Sequence, residues 1–467
     1  MQTPAHVFRE YDIRGRADRD LSDALVTAIG RALATFYGGT TPTRGFAGRV
    51  AVGRDCRASS DRLFAALTAG LRASGAEVID IGVGPTPLLY FAAHHLGTDG
   101  AVMITGSHNP PEDNGFKMMK GRATLFGEDI QTLLAIITEE RFTSAEGPPL
   151  TIRSVEDDYV AAVAAATRRE LLPAGKVVID AGNGAAGPLA IRTLTALGVD
   201  VDPLYCEMDG TFPNHHPDPT VEENLQALRA RVAATGAALG VAYDGDGDRI
   251  GVIDDRGEVI WGDKLMVLYA RAVLAERPGA AIIGEVKCSE TLYADIRAKG
   301  GRAIVNKTGH SLIKKRMKEE GALLAGEMSG HIFFADRYFG YDDAIYATLR
   351  LLEVMGASGK PPRELLADLP RTFATPELRV DCDDALKFAV VDRVLAHYRG
   401  SHPVLDVDGA RIDFGDGAWG LCRASNTGPV LVLRFEAKSE ARLAEIRREV
   451  EAVVAEARAA AGDGTEA

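Results

Sequence analysis

The chain has 467 residues, of which 46% are hydrophobic and 25% charged, and a formal charge of −13. Its length exceeds one ordinary core and implies roughly three or four globular domains. The acidic balance argues against a nucleic-acid partner, no apolar run reaches the roughly 18 residues that span a bilayer, and an anionic substrate would need a local cationic pocket.

The first fifteen residues lack a basic region followed by an apolar one, so no secretory signal is expected and a cytoplasmic location is. Cys56, Cys206, Cys288, Cys382 and Cys422 are scattered singly, which suits reduced thiols better than disulfides or zinc.

A weak internal repeat follows. Each copy starts with a short β-branched strand, at residues 49–52, 176–179 and 281–283. A helix comes next. In the first copy Leu63, Leu67 and Leu71 recur every four residues, with Ser59 or Ser60 as N-cap and Gly75 as stop; in the second, Pro188 opens the helix and Gly198 closes it. Second strands are predicted at 76–81 and 302–305. His94-His95 lie near a helix end and read as capping or surface residues. His215-His216, between Pro213 and Pro217, read as structural, because neighbours in an extended loop point apart.

Each copy ends in a small apolar strand and an abrupt polar loop: Thr105-Gly-Ser-His-Asn-Pro110, Asp244-Gly-Asp-Gly-Asp-Arg249 and Gly326-Glu-Met-Ser-Gly-His331. Alternation of strand and helix means α/β layers on parallel or mixed sheets, whose ligands gather at strand C-terminal ends. Three such domains facing one cleft are expected. From about Arg371 the pattern changes to a hairpin around Gly415-Asp416-Gly417 and an amphipathic helix marked by Leu443, Ile446, Val450 and Val453. That is a separate α+β domain with its own loop, Arg423-Ala-Ser-Asn-Thr427; the tail beyond about Ala461 is expected to fray. The expected divisions are 1–150, 151–256, 257–368 and 369–467.

The second loop carries the strongest chemical signal. Asp244, Asp246 and Asp248 alternate with glycines after the strand-like run Leu239–Tyr243. Alternate residues of an extended chain point the same way, so the three carboxylates are expected to converge and to need a hard divalent cation. A polar Asp/Gly turn is the bland alternative. An EF-hand fails, because its sixth and twelfth positions would be Arg249 and Asp255 rather than Gly and Glu. Ser107, beside His108, reads alone as a turn serine, but a phosphate on it would add oxygen ligands to a site of three Asp. Phosphoryl transfer needs cations, and Arg14, Lys117, Arg249, Lys287, His310 and His331 lie in or beside these loops. Glu327 and Ser329 could bind sugar hydroxyls; the Arg423 loop could hold a phosphate.

Together with Phe8-Arg-Glu-Tyr-Asp-Ile-Arg-Gly15, Asn114-Gly-Phe-Lys117, Lys307-Thr-Gly-His310 and Arg423-Ala-Ser-Asn-Thr-Gly-Pro429, these loops closely resemble the α-D-phosphohexomutase family, in its bacterial phosphomannomutase/phosphoglucomutase branch. The resemblance covers nearly the whole chain and implies four domains around a central cleft. It implies a phosphoserine at Ser107, and Mg²⁺ held by Asp244, Asp246, Asp248 and a Ser107 phosphate oxygen. It places Glu327 and Ser329 on sugar hydroxyls, Arg423, Ser425, Asn426 and Thr427 on the distal phosphate, and Tyr11, Lys287 and His310 on further ligand contacts. Arg14, Lys117 and His331 fall near the reacting hydroxyl, with the general acid/base left open among them. The implied reaction moves phosphoryl between O1 and O6 of mannose or glucose phosphates through a 1,6-bisphosphate, in a monomer or weak dimer.

Met328, Gly106 and Asn426 fit the mannose/glucose branch; phosphoglucosamine mutases typically have Gln in place of Met328 and Ala before the serine. That enzyme is the nearest alternative. An aspartyl phosphatase with Asp244 as nucleophile and Asp246 as acid/base would leave Ser107 and Arg423 idle; a non-enzymatic sugar-phosphate or metal-binding module is disfavoured because the Ser107 loop is complete.

Overall fold

The computed structural model describes residues 4–39, 45–426 and 428–462. Its first three sheets share one plan. In the first, strand Arg49–Arg54 lies between Glu77–Val83 and Gly100–Ile104, all parallel, and Asp113–Lys120 returns antiparallel beside Gly100–Ile104. The second sheet repeats this order with Lys176–Asp180 between Asp200–Leu204 and Leu239–Tyr243, then Ile250–Asp254. The third does so with Ala281–Glu285 between Arg302–Asn306 and Leu324–Gly326, then Ile332–Phe334. In every copy the predicted polar loop joins the third strand to the returning fourth. The sequence pattern gave no warning of the fourth strand, which in the third copy is only three residues long. Strand Ile13–Arg16 extends the first sheet beyond Asp113–Lys120.

The apolar runs of the inner strands are buried, those of the edge strands Asp200–Leu204 and Arg302–Asn306 only in part, and one continuous core crosses all three units. Helices Thr86–Leu96, Gly262–Glu276 and Ala344–Ser358 carry much of it. The fourth unit is an antiparallel sheet centred on Trp419–Ala424 and Val430–Ala437, with helices Lys387–Tyr398 and Glu440–Gly462 packed on one face. The chain therefore has three α/β units on mixed sheets and an α+β unit. The predicted hairpin is present, with Gly415, Asp416 and Gly417 all at positive φ.

Local details differ from expectation. Ser59 precedes helix Ser60–Ala73 but caps nothing, because its backbone is already helical and its hydroxyl accepts from Asn114 Nδ2. His94 and His95 occupy the last turn of Thr86–Leu96, and Gly97 in the left-handed conformation ends it. His94 packs on Phe339 and Tyr341, and burial, reinforced by Arg122, pushes its pKa down to about 4. His95 stays at the surface. All five cysteines are free. No helix among the described residues is long and apolar enough to cross a membrane.

Candidate active site

The Asp-rich loop does not converge in the way its alternation suggests. Residues 244–249 form a turn rather than an extended run. Gly247, at φ +73°, lets its own N–H donate back to the Asp244 carbonyl at 3.0 Å. The turn, not a period of two, brings the three carboxylates within 4.8 Å of one another. All three are fully buried. Burial, then the neighbouring carboxylates, pushes the Asp244 carboxyl well up. Burial pushes Asp246 the same way, but the Lys117 ammonium and the hydrogen bonds from Lys117, Thr86 and Asp244 together hold that carboxyl low. Lys117 Nζ lies 2.6 Å from Asp246 Oδ2 and 2.5 Å from Asp248 Oδ2. Asp246 Oδ1 and Asp248 Oδ1 are buried without a hydrogen-bond partner. Acceptor-only oxygens orphaned in this way at a cluster of carboxylates suit a hard divalent cation.

Ser107 faces this cluster. Its Oγ donates to Asp244 Oδ2 at 2.9 Å and lies 3.1 Å from His108 Nδ1. Ser107 itself has φ +50°, an unusual conformation for a residue with a side chain. Arg57, wholly buried, enforces it. Its guanidinium donates to the carbonyls of Ser107, Asn109, Pro110 and Asp113, and its Nε to Asp55. The fit is close: a Cβ on Gly106 would lie 2.6 Å from Arg57 Cζ, and one on Gly245 would lie 2.3 Å from the Ser107 carbonyl. Burial, then Arg249, Arg14 and Lys117, holds the His108 ring well below its ordinary pKa, hence neutral.

Around the serine the cations are individually anchored. Arg14 donates to Asn109 Oδ1 at 2.8 Å and Asp12 Oδ2 at 2.6 Å. Arg249 Nε donates to His331 Nε2 at 2.9 Å, so that nitrogen is the acceptor and Nδ1 carries the proton. His331 Nδ1 lies 2.9 Å from Asp342 Oδ2, out of line for a hydrogen bond, and 3.4 Å from Asp248 Oδ1. Lys314 Nζ donates to Asp342 Oδ1 at 3.1 Å. An isolated antiparallel bridge between Arg249 and His331 joins the second and third polar loops backbone to backbone.

Across the cleft, Glu327 accepts from Gly309 N at 2.8 Å and from the Ser329 hydroxyl at 3.0 Å. The His310 ring stacks on His331 at 5.6 Å. Burial, then Lys314, pushes the His310 ring well below its ordinary pKa. Lys287 Nζ donates to Glu377 at 3.1 Å. Arg423 Nε donates to Asp408 at 2.9 Å, the Ser425 carbonyl accepts from Lys387, and Asn426 Nδ2 donates to the Tyr11 hydroxyl at 2.5 Å. Tyr11 thus bridges the first unit to the fourth, and donates in turn to the Thr308 carbonyl at 2.8 Å. Thr427 lies outside the described residues. Lys117, Arg14, Arg249 and His331 therefore gather at Ser107 and the Asp cluster, with His310 stacked on His331, while Tyr11, Lys287, Glu327, Ser329, Arg423 and Asn426 form a second group. His215 is elsewhere, with Nε2 3.0 Å from Asp180.

Sequence reasoning missed Asp342, Lys314, Arg57, Asp408 and Thr86, whose hydroxyl donates to Asp246. None sits in a motif loop. Each acts on a residue distant in sequence.

Comparison with known proteins now adds to this geometry. Residues 5–144, 157–257 and 261–373 match phosphoglucomutase/phosphomannomutase alpha/beta/alpha domains I, II and III, and residues 377–453 match the C-terminal domain of the same family. The chain is 46% identical over 447 residues to a phosphomannomutase/phosphoglucomutase of Pseudomonas putida, covering 95% of this chain and 94% of that protein. It is 44% identical to a phosphoglucomutase of Neisseria meningitidis, covering 96% of each. A crystal structure of a phosphoglucomutase/phosphomannomutase family protein from Burkholderia thailandensis superposes with a TM-score of 0.89 at 42% identity over 98% of both chains.

Proposed function

This chain belongs to the phosphoglucomutase/phosphomannomutase family, and from that premise we propose that it is a hexose-phosphate mutase working through Ser107. It interconverts the 1- and 6-phosphates of mannose and glucose, an isomerase reaction in which the phosphoryl group passes through the enzyme. The observation that carries this reading is the Ser107 hydroxyl, held 2.9 Å from Asp244 at the edge of the carboxylate cluster and ringed by anchored cations.

Ser107, phosphorylated at rest, gives its phosphoryl group to the free O6 or O1 hydroxyl of the bound sugar. Lys117, Arg14 and Arg249 face the transferring oxygens and neutralise their charge. His331 takes the hydroxyl proton at Nε2 once Arg249 Nε, which occupies that lone pair at 2.9 Å, turns to the transferring phosphoryl oxygens. Among the anchored groups it offers a lone pair where the ammonium and guanidinium groups have none. The bisphosphate reorients, its other phosphate returns to Ser107, and His331 gives the proton back to the freed oxygen. Mg²⁺ held by Asp244, Asp246, Asp248 and a Ser107 phosphate oxygen would supply Lewis-acid charge neutralisation there. Glu327 and Ser329 hold sugar hydroxyls; Arg423, Ser425, Asn426 and Thr427, with Lys287, His310 and Tyr11, hold the phosphate that is not reacting. Glucose or mannose 1,6-bisphosphate charges the enzyme when Ser107 is bare.

Gly106, with Met328, is the residue found in the mannose/glucose branch, which supports those sugars over glucosamine. The Arg57 clamp leaves no room for the alanine typical of phosphoglucosamine mutases. The test is turnover of the 1-phosphates of mannose, glucose and glucosamine by wild type and Ser107→Ala. Ser107→Ala should lose activity on every sugar while keeping its fold. Near-normal turnover by that variant would sink the mechanism.

A further inference from the structure

In each of the three repeated sheets the central strand runs into a buried carboxylate. These are Asp55 just after Arg49–Arg54, Asp180 at the end of Lys176–Asp180, and Glu285 at the end of Ala281–Glu285. Each accepts the backbone N–H two residues on: Arg57 at 3.0 Å, Gly182 at 2.9 Å and Lys287 at 2.8 Å. In the first copy the same carboxylate also accepts from Gly106 N in the serine loop, at 3.3 Å. In the third, Glu285 Oε1 accepts from Met328 N in the sugar loop, also at 3.3 Å. The strand order explains the reach. Only the central strand is flanked by both neighbours from which the cleft loops depart.

Building on the mutase reading, we infer that Glu285 is the positioning residue for the substrate-gripping side of the cleft, fixing the Lys287, Thr308 and Met328 segments against one another. Its Oε2 accepts the Thr308 hydroxyl at 2.8 Å as well as Lys287 N. The side chain is fully buried and touches no reacting atom. Thr308 is a junction of three units. Its hydroxyl goes to Glu285, its carbonyl accepts from Tyr11 of the first unit, and its N–H donates to Asp408 of the fourth at 3.0 Å. Asp408 also accepts Arg423 Nε. One carboxylate thus sets the segment bearing Lys287, the loop bearing Glu327 and Ser329, and, through Thr308, the anchors of Tyr11 and Arg423. Glutamine at 285 keeps the shape but turns one acceptor oxygen into a donor facing other donors.

The experiment measures steady-state kinetics of Glu285→Gln, Thr308→Val and the double variant with glucose 1-phosphate, alongside calorimetric binding of the same compound and melting temperature. Glu285→Gln should raise KM and Kd by about 10-fold or more with kcat changed much less, because grip is lost and chemistry at Ser107 is not. Thr308→Val, which removes only a hydroxyl, should shift KM a few-fold in the same direction. The double variant should be less than additive. If Glu285→Gln does not fold, Thr308→Val alone carries the test through its KM. Unchanged KM in the folded variants, a kcat loss at constant KM, or full additivity would each overturn the inference. A wild type that binds the sugar phosphate without converting it overturns the proposed reaction while the Kd values still decide the role of Glu285. A wild type that neither binds nor converts it overturns both.

Discussion

Where the first two units meet, the site is locked by full charges: Lys117 between Asp246 and Asp248, and Arg57 between Asp55 and the carbonyls of the serine loop. On the third unit's side of the cleft, by contrast, Glu285 and Glu327 are held by neutral donors, although Lys287–Glu377 and Arg423–Asp408 add charged ties at the fourth unit. Glu285 takes two N–H groups and a hydroxyl, Glu327 an N–H and a hydroxyl, Asp408 an N–H and one guanidinium. Buried charge pairs are expensive to break, because the surviving partner is left uncompensated. A neutral hydrogen bond is worth only about 1 kcal/mol net and can be exchanged for a sugar hydroxyl. The difference separates a fixed chemical side from an adaptable grip, which is what a reaction that must hold one sugar in two orientations requires.

The largest expected effect breaks the charged side. Exhaustive chelation should abolish turnover and added Mg²⁺ restore it, and Asp246→Asn should lower activity by about 10²-fold or more while weakening Mg²⁺ binding. Full activity after chelation would remove the cation from the account. Next, Asp342→Asn should cut kcat by about 10²-fold by removing the carboxylate charge 2.9 Å from His331 Nδ1 that favours the proton there. Lys314→Met in the same chain removes the ammonium that the substitution strands, and separates that burial effect from the loss of the carboxylate charge at His331. Unchanged kcat in the double variant would deny Asp342 any hold on His331.

On the grip side, Glu327→Ala should lower kcat/KM by about 10- to 100-fold for glucose and mannose 1-phosphates alike, since these sugars differ only at C2. Galactose phosphates, inverted at C4, should be rejected by the wild type. Loss of one sugar only would show that the grip reads C2 after all. The smallest effect concerns the segment at 369–377, which carries Pro370 and Pro376 and leads into the fourth unit. The Lys287 ammonium, against burial, holds the Glu377 carboxyl at about 2 rather than 4.5. A depressed carboxyl contributes stability above its unfolded value, so this tie is intact at neutral pH and is lost as pH falls from about 4.5 through about 2. Glu377→Gln should change KM by a few-fold at neutral pH, and scattering should show the fourth unit closing on sugar phosphate with a weaker response in the variant. Identical scattering with and without ligand would contradict that motion.

The repeat was legible because its strands are apolar, β-branched and bounded by polar loops. Strand order was not, since nothing local distinguishes a central strand from an edge. The Asp loop was recognisable by composition, yet the reason for its convergence was misread: alternation implies an extended chain, and Gly247 makes a turn. The anchoring residues stayed hidden for a different reason. Asp342, Arg57 and Asp408 lie outside the motifs and act through contacts that only the fold creates, and no spacing rule encodes them. Glu285 could have been noticed, as the third acidic residue closing the first strand of a repeat.

The central claim is that Ser107 carries the phosphoryl group, and intact-mass measurement tests it most directly. Wild type incubated with glucose 1,6-bisphosphate should gain the mass of one phosphoryl group, lose it on addition of excess glucose 1-phosphate, and show the modification on Ser107 after fragmentation, while Ser107→Ala gains nothing. A wild type that turns over substrate without ever carrying that mass, or a Ser107→Ala variant that acquires it, would contradict the account.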